Sequence, residues 1–317
     1  MNTSQSSCSP ILSLALPIRN GERLLSCLLD SLLAQDFDDF EIVISDNASD
    51  DNTQAICQEY AQRDSRIRYF RNPENIGLLA NFNRLIGLCR GKYMRWIGWD
   101  DWLEPDYARR CVAVLESRPD AIGVTTSQDF FDEDGIRDFC EYKGERLDSP
   151  FAHVRYRRML WFMTNDFRFI DPIYTMMRRE VLEKIGGHRL DVMSADQVLA
   201  VELSLRGSFA HIPICLSHRG KLSFGTPVEQ LLHQCYLGQA DRVKKQNYLD
   251  IVAAFWAPVN KLPLSSWERF FCFFPITRYF LICTRYFVEE QLRARLRFLK
   301  RLKFINPLIV HENSLLQ

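Results

Sequence analysis

Asp100 and Asp101 stand side by side at the end of the apolar, aromatic run Tyr93-Met94-Arg95-Trp96-Ile97-Gly98-Trp99. A strand that delivers carboxylates to its C-terminal tip, beside a helix start, makes a seat for a hard divalent cation that can itself hold a diphosphate. Pro105 fits the first position of that following helix. The simpler alternative is a loop whose aspartates cap the helix. Two more polar turns repeat the pattern: Arg19-Asn20-Gly21-Glu22 and Asp46-Asn47-Ala48-Ser49-Asp50-Asp51. Asp46 and Asn47 could hydrogen-bond a base or ribose, or could serve only as turn and cap residues. Asn75-Ile76-Gly77 offers a flexible turn before a helix, where backbone N–H groups can meet anionic oxygens.

The elements that must position these residues alternate. Ile11 to Leu16 reads as a buried strand ended by Pro17, Phe40 to Ser45 as a second, Ile67 to Phe70 as a third and Tyr93 to Ile97 as a fourth. Helical spacing predicts helices over residues 21–34, 51–63 and 78–89. Strands alternating with helices imply an α/β fold, with a parallel sheet flanked by helices. In such sheets ligands bind beyond the C-terminal strand ends, where the polar turns lie. No G-x-G-x-x-G follows the first strand and no G-x-x-x-x-G-K-[ST] occurs, which excludes the ordinary dinucleotide and P-loop patterns.

Composition narrows the class. The 317 residues suffice for one large core, or one core with an appendage. Formal net charge is zero, which speaks against nucleic acid as a partner. The ten cysteines show no C-x-x-C pair and read as reduced core thiols. Met1 to Pro10 lacks the basic and apolar blocks of a signal peptide, so a cytoplasmic location is expected. Charge is uneven: from Leu262 onward nine Lys/Arg face four Asp/Glu, a net of +5 that leaves −5 on the rest.

The motifs Leu16-Pro17-Ile18-Arg19-Asn20-Gly21-Glu22, Ile44-Ser45-Asp46-Asn47-Ala48-Ser49-Asp50-Asp51-Asn52-Thr53, Asn75-Ile76-Gly77 and Gly91-Lys92-Tyr93 running into Asp100-Asp101 and Pro105-Asp106 resemble, in order and spacing, the family 2 glycosyltransferases of the bacterial cell-surface-polysaccharide type. The resemblance is strong from Ile11 to Leu115, thinner to Gly225 and absent beyond. It implies an A-type glycosyltransferase fold, a nucleotide-diphosphate sugar donor and an inverting transfer. It implies a catalytic domain over residues 1–225, with a nucleotide-sugar half at 11–115 and an acceptor half at 116–225, followed by a helical, aromatic and basic region at 226–317. Asn20, Glu22, Asp46, Asn47, Asn75, Gly77, Trp99, Asp100 and Asp101 are the implied donor-binding residues. Asp100 matches the last acid of the family's D-x-D motif, the usual ligand of Mg²⁺ or Mn²⁺. Gly98 stands where many members carry the first.

Transfer also needs a base for the acceptor hydroxyl, while a metal neutralises the departing diphosphate. Arg178 to Gly187 looks like the family's turn before its second acidic motif, and Ser194-Ala195-Asp196-Gln197 sits where that motif is expected. Asp196 is the expected base, with Asp191 and Glu202 weaker candidates; a helix cap is its alternative role. Gly207 suits the end of the helix that follows. His218-Arg219-Gly220-Lys221 follows an expected strand at Ala210 to Leu216; His218 could ligate the metal, or lie in a solvated loop. Trp161, Phe162, Phe167 and Phe169 could line an acceptor pocket or fill the core.

Residues 267–287 are rich in aromatics but interrupted by Arg269, Arg278, Arg285 and Pro275, which excludes a span of ~20 apolar residues. Leu292, Leu296, Leu299 and Leu302 share a helical face, with six basic residues over 293–303 around it. That pattern suits peripheral attachment to an anionic membrane surface through 267–303, at its cytoplasmic face, and an acceptor that is a lipid-linked or polysaccharide glycan. A helical appendage packed on the catalytic domain or on a second copy is the alternative. A non-catalytic assembly partner and a sugar nucleotidyltransferase are the competing functions.

Overall fold

The computed structural model describes residues 9–131, 135, 137–140, 146–165, 174–220, 228–238 and 240–305. In chain order the elements are β1 (Leu12–Ile18), α1 (Leu25–Leu33), β2 (Phe40–Asp46), α2 (Thr53–Arg63), β3 (Ile67–Arg71), α3 (Leu78–Leu88), β4 (Tyr93–Trp96), β5 (Trp102–Leu103), α4 (Tyr107–Ser117), β6 (Ala121–Phe131), β7 (Arg137–Cys140), α5 (Ala152–Asn165), β8 (Met176–Arg178), α6 (Arg179–Ile185), α7 (Ala195–Arg206), β9 (Ser208–Gly220), α8 (Val228–Cys235), α9 (Ala240–Lys244), α10 (Tyr248–Lys261) and α11 (Ser266–Ile305).

One sheet organises them, in the order β3-β2-β1-β4-β8-β6-β9-β5, with β7 paired to β6. β1 to β4 are mutually parallel, as the alternation predicts. β8 then joins the halves by pairing antiparallel to both β4 and β6. β1 and β2 are buried at every residue, because helices cover both faces of the sheet. Leu12, Leu14 and Leu16 face α1, α2 and α4. Ala15, Val43, Met94 and Trp96 face the opposite core, which continues through α5 and α7 into α10 and α11 with Phe255, Val259, Cys272 and Ile276.

Pro17 does not end β1, contrary to expectation: the strand continues to Ile18, which pairs with Asp46. Residues of a strand aim their backbone groups alternately to its two sides. Ala15 faces β4, whose Ile97 N–H donates to its carbonyl, and Ile18 faces β2, accepting from Asn47 N–H. Pro17 therefore aims its missing donor at the β4 side, beyond the last paired residue there, and no ladder bond is lost. α1 starts at Leu25 rather than near residue 21: Asn20 holds φ 55°, and Leu24 and Leu25 N–H both donate to Gly21 O in the turn before the helix. Pro105 lies just before α4, whose cap is Asp106, and Trp102–Leu103 form a short strand against β9 instead of a plain loop. Arg179–Ile185 is a helix rather than a turn, closed by Gly186 in the left-handed region.

Candidate active site

Side-chain hydrogen bonds staple the rim loops together. Asn20 N–H donates to Ser49 Oγ, Gly21 N–H to Thr53 Oγ1 and Glu22 N–H to an Asp51 oxygen. In return Asn20 Oδ1 accepts from Asp50 N–H, and Glu22 accepts from the backbone and side chain of Asn52. Asn20 and Ala48 both hold positive φ, at 55° and 57°. The side chains of Asn20, Glu22, Ser49, Asp51 and Thr53 cross-link the β1–α1 and β2–α2 loops.

Asp46 is buried, and its carboxylate accepts from Ser49 N–H and Oγ, from Tyr69 Oη at 2.6 Å and from Arg71 Nη1 at 2.7 Å. An ionised carboxylate has about four acceptor sites, so protein donors take most of this one. Asp46 braces the rim rather than presenting an open carboxylate. Burial, and then the Asp46 charge, push the Tyr69 hydroxyl well above its ordinary range. Asn47 is likewise committed: its amide donates to Asn75 Oδ1 at 2.7 Å and its oxygen accepts from Ile76 N–H and Asn72 Nδ2. Asn75 also receives Gly77 N–H, and Gly77 caps α3 with φ 88°, a conformation that favours glycine. Sequence reasoning missed Tyr69 and Arg71, whose alternation at the end of β3 was the available signal.

The loop after β4 presents Asp100. Asp101 is buried and accepts Gly98 N–H at 2.9 Å, closing a tight turn with Asp101 N–H to Gly98 O. A Cβ at Gly98 would meet Asp101 Oδ2 at 3.0 Å and Asp100 Oδ1 at 3.2 Å. The missing first acid thus corresponds to a turn with little room for one. Asp100 is partly exposed, and Gly220 packs so closely on it that a Cβ there would overlap its carboxylate. Trp99, half-buried beside Gly21, joins this loop to the first one. Of the two acids, Asp100 keeps the greater exposure, and carboxylate oxygens are suitable hard ligands for a divalent cation.

His218 lies within β9, not in a solvated loop, because that strand runs to Gly220 rather than stopping at Leu216. Its Nδ1 is 2.6 Å from Asp129 Oδ1 and its Nε2 is 2.9 Å from Glu104 Oε1, and its ring stacks on Trp102. Both ring nitrogens are thus engaged by carboxylates. Asp129, Cys215 and His218 bring potential ligand atoms within 4.8 Å of one another. Asp129 and Cys215 escaped sequence reasoning because pairing of β6 with β9 brings them beside His218. Lys221, Phe167 and Phe169 lie outside the described residues.

Asp196 occupies the first turn of α7, one residue inside it, while Ser194 takes the cap position with φ 57° and no capping side-chain bond. Its side chain reaches solvent, and the protein packed around its turn removes part of its hydration. This partial loss of hydration pushes its carboxyl above the ordinary aspartate range, against the opposing pull of the Gln197 N–H. Tyr236 Oη accepts Ala195 N–H, and Leu237 packs on Gly77. The residues just after α8 therefore touch both the Asp196 turn and the Asn75–Gly77 turn. Burial, and then the charge of Asp196, raise the Cys235 thiol to about 11. Asp191 and Glu202 are paired instead with Arg189 and Arg206.

Gly186-Gly187-His188 forms another loop that is tied in place beside the site. Asn83 Nδ2 donates to His188 O and its oxygen accepts His188 N–H, docking the loop onto α3. His188 packs on Phe82 and Trp96, and burial lowers its imidazole to about 4, so it is neutral at physiological pH.

Residues 13–186 match the family model described as glycosyl transferase family 2. Among curated proteins, the chain is 33% identical over 146 residues to the putative glycosyltransferase EpsH of Bacillus subtilis, covering 46% of this chain and 39% of that protein. It is 30% identical over 166 residues to the chondroitin synthase of Escherichia coli, covering 50% of this chain and 24% of the other. The match therefore spans less than half of either relative. Among solved structures, S. aureus TarS 1–349 in complex with UDP superposes with a TM-score of 0.57 at 14% identity, over 81% of this chain and 68% of that one. The mannosyltransferase PcManGT from Pyrobaculum calidifontis, in complex with GDP-Man and Mn²⁺, gives 0.51 at 15% identity over 88% and 87%. These two share the fold.

Proposed function

The chain belongs to glycosyl transferase family 2, and from that premise we propose that it moves a sugar from a nucleotide-diphosphate donor to an acceptor hydroxyl by metal-assisted inverting displacement. The observation that carries the reading is the pair of acids on separate elements. Asp100 stands partly exposed just past β4, and Asp196 reaches solvent from the first turn of α7 with a raised pKa, linked to the donor-side turn through Tyr236 and Leu237. Neighbours of the same fold were solved with UDP and with GDP-Man and Mn²⁺, which supports a nucleotide-sugar donor and a divalent ion.

In this reading Asn20, Glu22, Asp46, Asn47, Asn75, Gly77, Trp99 and Asp101 shape the donor rim, and Asp100 would hold Mg²⁺ or Mn²⁺, with His218 the nearest imidazole along β9. The ion would neutralise the diphosphate leaving group. Asp196 takes the proton from the acceptor hydroxyl as that oxygen attacks the anomeric carbon and the bond to the diphosphate breaks. The proton ends on the Asp196 carboxylate and the electron pair on the diphosphate. A raised pKa suits a base that must accept a proton in the transition state. The acceptor is a lipid-linked or polysaccharide glycan, reached with the 267–303 region against an anionic membrane surface on its cytoplasmic side. Among the described residues no helix is long and apolar enough to cross a membrane.

Thermal shift against UDP-, GDP-, dTDP- and CDP-linked sugars, each with and without Mn²⁺, tests the donor site. A ligand at ~100 times its dissociation constant adds ~2.7 kcal/mol. One nucleotide class should stabilise only with metal, and Asp100→Ala should remove the effect. Equal stabilisation of wild type and Asp100→Ala would refute the assignment.

A further inference from the structure

A cavity of about 840 Å³ opens between α5 and α11, away from the strand-end rim. Arg146, Arg157, Arg158 and Arg278 line it, together with apolar walls that include Trp161, Phe274 and Ile282. None of its described lining residues is acidic. Glu268, at the start of α11, is committed to the Ser265 hydroxyl and to backbone N–H groups of Ser265 and Ala152. Arg158 lies 4.4 Å from the centre of the Trp161 ring and 4.5 Å from that of Phe162, which keeps its guanidinium at the wall.

The mouth of this cavity continues into a bare aromatic face. Trp267, Phe270 and Phe274 recur at helical spacing on α11 and are 69%, 53% and 54% exposed. Trp267 stacks on Phe271 at 5.4 Å, and Phe270 meets Phe274 at 5.1 Å, so the face is one continuous patch. Aromatic rings of this kind lodge at the boundary between headgroups and acyl chains. Guanidinium forks match phosphate oxygens.

We propose that the α5–α11 cavity is the headgroup site for a phosphate-bearing lipid, whose acyl or prenyl chain leaves over the aromatic face of α11. The proposal deepens the membrane-facing part of the function above. It gives that attachment a stereochemical site in place of diffuse charge attraction. Charge complementarity selects the headgroup, and the apolar walls select against free phosphate. Arg155, nearly opposite Arg157 around α5, donates to the carbonyls of Ser204 and Leu205 in α7. The same helix thus carries the lipid site on one side and the support of the Asp196 helix on the other.

The test uses the full chain and a water-soluble lipid, dihexanoyl phosphatidic acid below its micellar concentration, titrated calorimetrically. Dihexanoyl phosphatidylcholine, inorganic phosphate and a single-stranded oligonucleotide are the comparisons. Phosphatidic acid should bind, and the other three should bind at least tenfold more weakly. Replacing Arg157 or Arg278 by Ala should each weaken binding about fivefold, the factor for one basic residue at a lipid surface. Phe274→Ala should weaken it while leaving the melting temperature unchanged, since that ring is half exposed. Flotation with phosphatidylcholine vesicles, with and without phosphatidic acid, should follow the same order. Equal binding of both lipids, equally tight inorganic phosphate, a preferred oligonucleotide, or wild-type affinity in the arginine variants would overturn the proposal. Metal-dependent donor shifts, measured on the same variants, report the donor site separately.

Discussion

At the scale of single residues, Asp196 carries the most specific predictions. Asp196→Asn should lower kcat by ~10²–10⁴-fold while leaving donor-induced thermal shift intact, because base catalysis supplies about that factor. Its raised carboxyl also has a stability consequence. Between the ordinary aspartate value, about 3.9, and the raised value, the folded chain holds a proton that the unfolded chain has lost. Stability therefore declines as pH rises through that window. Asp196→Asn should remove the decline, so the variant should melt above wild type at neutral pH and together with it in acid; calorimetry at the two pH values checks this. Gly98→Asp would restore the family's first acid on paper. Here it should instead lower the melting temperature, because the new Cβ meets two carboxylates at 3.0 and 3.2 Å. A stabilised variant with tighter metal binding would show that the turn yields easily.

Among the elements, the site depends on where loops are tied. Gly187 has φ 81°, and a Cβ there would overlap the Asn83 amide that docks the loop onto α3. Gly187→Ala should cost more than about 1 kcal/mol in urea unfolding. It should also lower kcat by displacing the Asp196 segment, with a smaller effect on donor affinity. The first four strands and the three polar turns were legible because buried parallel strands read as unbroken apolar runs, as in Phe40–Asp46. Pairing across the sheet was less legible. That β8 would join the halves and that β9 would carry His218 to Glu104 and Asp129 depends on contacts over 52 to 114 residues of sequence, which local spacing does not encode. Gly98 read as a missing acid, and only the Asp101 carboxylate on its amide explains it.

For the whole molecule, the decisive feature is that one apolar cluster runs from Ala15 and Met94 on the sheet to Phe255 and Ile276 in the C-terminal helices. Phe255 is fully buried, and Tyr156 Oη donates to its carbonyl. Phe255→Ala should destabilise by ~3–5 kcal/mol, and calorimetry should show the transition moving as a single event rather than losing a separate C-terminal one. Two transitions in the wild type would mean the cluster is divisible. The same continuity sets an order for synthesis on the ribosome. β1 to β4 emerge first, but the sheet face that carries Ala15, Val43, Met94 and Trp96 stays bare until α5, α7 and the C-terminal helices have followed. α7, the helix bearing Asp196, packs on α5 and then on α10, which lies in the final quarter of the chain. A chain cut short before α10 would therefore leave part of this cluster open to water and would be prone to aggregate.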